Sequence, residues 1–154
     1  MSHMLTRSFT AQLFITGQNS DQRVGVTLSS TPAQSGWLTA VDGSDQSLPV
    51  DFRFTFILSE SRTRLHYLIS SVTRAGGYRG TLLNLSLNGY AGLYRIDAEE
   101  TAWKVEPLNA WNDEADLRFH LRSLSGERLG RTADGLLNTS LGEAAVFKAK
   151  VIAY

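Results

Sequence analysis

An all-β fold built from repeated hairpin units is what this sequence predicts, and three observations carry the prediction. Short stretches of alternating apolar and polar residues return roughly every eight to twelve residues, separated by polar turns that draw on 13 glycines. No window of about a dozen residues carries an apolar stripe at helical period. The chain also repeats itself. When Arg64–Ala91 is laid over Arg118–Ala145 without a gap, eleven positions coincide, among them His66/His120, Ser71/Ser125, Leu83/Leu137 and Asn84/Asn138. A repeat of this size is one supersecondary unit, and a unit that cannot cover its own apolar face must pack against its copies.

The elements follow in order. Ser8–Thr16 is rich in β-formers, Gly17–Gln22 is a polar turn, and Arg23–Ser29 sets Val24, Val26 and Leu28 on one face. Thr31–Gly36 breaks the chain before a short apolar strand at Trp37–Val41. Asp42–Gln46 is a turn in which glycine supplies the positive φ. Val50–Leu58 then carries Phe52, Phe54 and Phe56 at period two, the clearest strand of the first third. Glu60–Arg64 turns the chain into a strand at Leu65–Val72, and Ala75-Gly76-Gly77 turns it again. Leu82–Leu87 is a strand closed by Asn88-Gly89, a favoured hairpin pair. Gly92–Ile96 is short and apolar, Asp97–Thr101 is a charged loop, and Ala102–Leu108 alternates. The polar stretch Asn109–Asp116 holds the isolated Trp111. Leu117–Leu124 alternates, Ser125–Gly130 turns and leads through Asp134-Gly135 into Leu136–Leu141, and Ala145–Tyr154 closes the chain.

A chain of 154 residues fits one domain, spanning 1–154, with enough length to bury a core. Lysine plus arginine equal aspartate plus glutamate at 15 each. That balance argues against a general nucleic-acid binder or a ligand of acidic membranes, and it leaves room for a small local patch. The absence of cysteine excludes disulfides, thiolate metal sites and a cysteine nucleophile. No apolar run approaches the length of a membrane span, so no membrane insertion is expected. Met1–Met4 lacks the start of a secretory signal, which leaves the compartment open between the cytoplasm and secretion without a signal.

Bulky aromatics head three strands that close their units, at Phe52–Ile57, Trp103–Leu108 and Phe147–Ala153, and strands open units at Gln12–Thr16, His66–Ser70 and Phe119–Ser123. The last third reads Leu117–Ser123, then Ser125-Gly126-Glu127-Arg128-Leu129-Gly130, then Asp134-Gly135-Leu136-Leu137, then Val146-Phe147-Lys148-Ala149. That third is similar to a lectin-like or fascin-like repeat of the β-trefoil superfamily. The resemblance implies a β-trefoil of three pseudo-symmetric repeats, approximately 5–58, 59–108 and 109–154, each with about four strands. Six strands would form a short barrel and six a hairpin cap. The Gln-any-Trp signature of ricin-type lectins is missing, since Thr101-Ala102 precede Trp103 and phenylalanine stands at 52 and 147, so that subfamily is not implied.

Catalytic motifs are absent. His66 and His120 fall at matching repeat positions, which points to one structural part played twice, and a metal would want further ligands at short spacing. Glu99-Glu100 and Asp113-Glu114 lie in charged loops as solvated pairs, and no Gly-any-Ser-any-Gly elbow appears. Ala75–Gly80 has the glycines of a phosphate cradle but no lysine-serine and no following helix. The expectation is no enzyme, no cofactor and no metal. Aromatics are the better lead. Trp37 and Trp103 lie in strands and read as core. Trp111 in its polar loop would stack on a pyranose while Asn112 and Asp113 bond its hydroxyls, or it folds back as a lid over the barrel. Tyr78 and Tyr90 sit beside glycines in turns. Asp42, Asp97 and Asp134, in or beside turns of successive thirds, would be acceptors if each repeat keeps a site, and otherwise turn formers. With the lectin-like resemblance, these residues lead to a non-enzymatic carbohydrate-binding protein. It would recognise a glycan or glycoprotein through turn loops, with avidity from several repeats or a homo-oligomer. The alternative is a protein-binding trefoil, a protease inhibitor or an actin-bundling or cytokine-like module, presenting Thr31–Gly36 or Asp97–Thr101.

Overall fold

The structure is a computed structural model that describes residues 7–17, 20–28, 36–41, 47–74, 77–86, 88–94, 101–111, 116–133 and 135–154. Among these residues there is no α-helix, and the strands are β1 (Phe9–Ile15), β2 (Gln22–Thr27), β3 (Leu38–Ala40), β4 (Ser47–Pro49), β5 (Asp51–Ser61), β6 (Arg64–Ser71), β7 (Leu82–Leu85), β8 (Ala91–Tyr94), β9 (Trp103–Pro107), β10 (Leu117–Arg122), β11 (Gly130–Arg131), β12 (Leu137–Asn138), β13 (Glu143–Ala144) and β14 (Phe147–Ala153).

Six of these strands close on themselves. β1 pairs β5, β5 pairs β6, β6 pairs β9, β9 pairs β10, β10 pairs β14, and β14 returns to β1, every contact antiparallel. Closure leaves none of the six with a free edge along its paired length. Strict alternation dictates the inside. Phe9, Ala11, Leu13 and Ile15 of β1, Leu65, Tyr67 and Ile69 of β6, and Leu117, Phe119 and Leu121 of β10 are buried, while the residues between them reach outward. Rings fill the interior. Phe9 stacks on Phe54 with centroids 4.8 Å apart, and Phe119 stacks on Phe147 at 5.9 Å. Each such side chain contributes about 1.5–3 kcal/mol by burial alone.

One rung recurs three times around this barrel. Ala11 faces Phe52, Tyr67 faces Trp103, and Phe119 faces Phe147, and one step away Phe9 faces Phe54, Leu65 faces Val105, and Leu117 faces Ala149. The closing aromatics Phe52, Trp103 and Phe147 therefore hold equivalent positions. The remaining strands are hairpins over one end of the barrel, β2 with β3 and β4, β7 with β8, and β11 with β12 and β13. Single bridges join them in a cycle, Trp37 to Gly92, Tyr90 to Asn138 and Thr39 to Leu136.

The ladders correct the register of the internal repeat. Tyr67 corresponds to Phe119 and Leu65 to Leu117, two residues away from the alignment that gave the identities. His66 faces Lys104 whereas Arg118 faces Lys148, so the counterpart of His66 is Arg118 and not His120. In the cap, the bridges make Leu136–Asn138 the counterpart of Tyr90–Gly92, while Leu82–Asn84 begins the other strand of its hairpin. A slip of two leaves every side chain on its own face of the sheet, so apolar alternation could not expose the error.

Three short strands escaped the periodicity. β4, β11 and β13 are two or three residues long, too brief to alternate. The expected strand at Leu136–Leu141 stops at Asn138 because that side chain, fully buried, accepts from the backbone N–H groups of Ser140 and Leu141 at 2.8 and 3.1 Å. Its amide nitrogen donates to the Asn88 carbonyl at 3.1 Å and so links the second hairpin to the third. β5 outruns its expected end and continues to Ser61, and beyond Phe54, where pairing with β1 ends, it is largely exposed.

Candidate functional site

Trp111 is in the core. Only 1% of it is exposed, its ring packs edge-on against Phe9 and Phe119 at 6.1 and 5.4 Å, and its Nε1–H donates to the Arg118 carbonyl at 3.0 Å. A ring covered in this way cannot stack on a sugar. Of the two expectations for Trp111 the inward one holds, and Asn109 braces the turn beside it, its amide donating to the Asp116 carbonyl and accepting from the Arg118 N–H. Asn112, Asp113, Asp42, Asp97 and Asp134 lie outside the described residues, as do Glu99, Glu100 and most of both loops expected to protrude.

The two tyrosines come together with rings the sequence had assigned elsewhere. Trp37, expected in the core, is only half-buried and meets Tyr90 edge-on at 5.4 Å. Trp37 bridges Gly92, the Leu93 N–H donates to the Gly36 carbonyl at 2.9 Å, and the seam between the first two hairpins runs through this contact. Tyr90, Gly92 and Tyr94 share one face of their strand by alternation. A Cβ on Gly92 would lie 3.0 Å from the Gly36 carbonyl and 3.5 Å from the Tyr94 ring, so glycine is what permits the close approach. Tyr78 lies over Gly36, where a Cβ would meet its ring at 3.3 Å. Four half-buried rings, Trp37, Tyr78, Tyr90 and Tyr94, thus surround a glycine-lined seam. Burial raises the Tyr78 and Tyr94 phenols above their ordinary value, so both hydroxyls stay neutral donors. Alternation could not find this seam, because it forms between hairpins that are far apart in sequence.

A second concentration of chemistry lies on the outer wall of the barrel. Glu106 of β9 receives Arg64 of β6 at 2.9 Å, Arg122 of β10 at 3.2 Å and Arg128 at 3.2 Å. Only 15% of the Glu106 side chain is exposed. Burial pushes its carboxyl up, but hydrogen bonds from Arg122 and Arg64, and their charge, outweigh that and bring it down to about 2. His120, opposite Glu106 in the ladder, presents Nδ1 to the Ala145 carbonyl at 2.9 Å, and His66 holds Nε2 3.6 Å from Glu60.

A cleft of about 320 Å³ opens between the end of β1 and the β11–β13 hairpin, walled by Ile15, Thr16, Arg131, Thr132 and Glu143. No aromatic ring is among the described residues that line it, so it offers no stacking platform. No protein-family model matches this chain, and no curated protein is significantly similar to it in sequence.

Proposed function

We propose that the chain is a β-trefoil and acts as a non-enzymatic carbohydrate-binding protein, with its primary site at the aromatic seam. The rung that recurs three times, and the three bridges that join the hairpins in a cycle, support the trefoil. One observation carries the function. Trp37, Tyr78, Tyr90 and Tyr94 are held half-buried around Gly92 and Gly36, each with an apolar ring and a polar tip. Such rings take the apolar face of a pyranose while phenol and indole groups bond its hydroxyls. Asn88, exposed at the neighbouring turn, adds an amide. A shallow site of this kind binds weakly, and a homo-oligomer would supply avidity.

A glycan array followed by titration of tryptophan fluorescence tests this. Trp103 and Trp111 are buried, so a ligand at the seam should change the signal of Trp37. Trp37→Ala and Tyr90→Phe should each weaken binding, the first by at least about tenfold, and Tyr90→Phe keeps the ring packing. An array without a hit, together with unchanged fluorescence, would sink the proposal.

The protein-binding alternative has its own support in the far end of β5, which pairs β6 but no longer β1, and where Ile57 and Leu58 are 44% and 46% exposed. Tight inhibition in a protease panel, lost on changing Ile57 and Leu58 to serine, would favour it over sugar binding.

A further inference from the structure

The arginine cluster on the barrel wall carries more positive charge than its acid can balance. Arg64, Arg122 and Arg128 converge on the single carboxylate of Glu106, with side chains 25%, 19% and 44% exposed. Lys104 lies directly opposite Arg122 in the ladder and opposite His66 on its other side, which adds a further cation to the same face. The other described acids nearby are engaged elsewhere or at the margin. Glu127 receives the Ser125 hydroxyl, and Glu60 lies beside His66. Guanidinium groups packed around one carboxylate repel one another, and partial burial strengthens that repulsion. A second oxyanion at the cluster would relieve it. The planar guanidinium fork suits sulfate and carboxylate groups, and Glu106 already holds three such forks in place. Ligand-side reorganisation is all that remains to be supplied.

We propose that this cluster is an oxyanion site on the outer wall of β6, β9 and β10 that takes a sulfate or carboxylate group of an acidic glycan. The identity of the ligand rests on the carbohydrate proposal above, while the oxyanion chemistry rests on the cluster alone. A polynucleotide fits less well. The outward positions of these three strands carry no Phe, Tyr or Trp for base stacking among the described residues, and the whole chain has no net charge to attract one.

The test uses the intact protein with four probes, namely sulfated and unsulfated dextran oligomers of equal length, inorganic sulfate and single-stranded poly(dT). The sulfated oligomer should bind at least about tenfold more tightly than the unsulfated one, and its affinity should fall severalfold or more between about 50 and 200 mM salt. The double variant Lys104→Ala/Arg128→Ala should lose at least about tenfold in sulfated-oligomer affinity with its thermal midpoint little changed. Glu106→Gln removes the competing carboxylate and should raise that affinity, and the double variant decides the matter should Glu106→Gln not fold. Equal affinity for the two dextrans, or an unaffected double variant, overturns the site. Poly(dT) bound as tightly as the sulfated oligomer, or inorganic sulfate competing at equal concentration, overturns the glycan as its ligand. Sulfate-dependent binding that survives Trp37→Ala, with no response to unsulfated sugars, would remove the aromatic seam and leave this site standing.

Discussion

Trp111 shows how far one side chain can depart from what its neighbours in sequence suggest. Its indole is enclosed by Phe9, Tyr67 and Phe119, and its N–H is satisfied by the Arg118 carbonyl. Trp111→Ala should cost about 3–5 kcal/mol in denaturant unfolding, since it opens a cavity in a packed core. Trp111→Phe should cost about 1–3 kcal/mol, through a smaller ring and one lost hydrogen bond, while the Arg118 carbonyl keeps the Leu108 N–H, and neither change should alter the sugar specificity of correctly folded protein. Glu106 gives a residue-scale prediction in pH. Its folded value of about 2 lies below the ordinary 4.5, so the carboxylate contributes stability that is fully present above about 4.5 and is lost as pH falls through about 2. Glu106→Gln should remove that part of the acid dependence. The difference between the unfolding curves of wild type and variant should therefore shrink from pH 5 toward pH 2. A difference that stays constant over this range would contradict the pairing.

Among the elements, the first hairpin depends on an absent side chain. Gly25 of β2 faces Thr39 on one side and Pro49 on the other, and a Cβ built there would run into the Leu48 carbonyl. Gly25→Ala should therefore push β4 off β2, at about 1–3 kcal/mol or more, readable as a lowered midpoint and faster amide exchange in 47–49. Asn138 acts at the same scale. Its buried amide ends β12 and ties it to the turn at Asn88, so a strand that alternation would continue is stopped by polar chemistry.

At the scale of the molecule, the closed ring makes the fold all-or-none. β14 is hydrogen-bonded to both β1 and β10, so it belongs to the first unit and the last at once. Removing residues 147–154 should leave two long unpaired edges and expose Phe119, and the truncated chain should lose cooperative unfolding and aggregate. Wild type should unfold in a single transition, with matching far-ultraviolet and tryptophan signals. The ring also governs recognition. Its interior is filled by rings, so a ligand is left the seams between hairpins and the outward wall of the barrel.

From the sequence alone came the all-β class, most of the longer strands, the inward faces of β5 and β10, and the equivalent closing aromatics Phe52, Trp103 and Phe147. These follow from alternation, which is local and survives any packing. Tertiary structure alone decided the register between units, the burial of Trp111, the aromatic seam at Gly92 and the arginines gathered on Glu106. Each depends on which strands lie side by side. A two-residue slip preserves every in-or-out assignment while changing every neighbour, and for that reason the textual match of His66 with His120 could not reveal that the two stand at different places in the barrel.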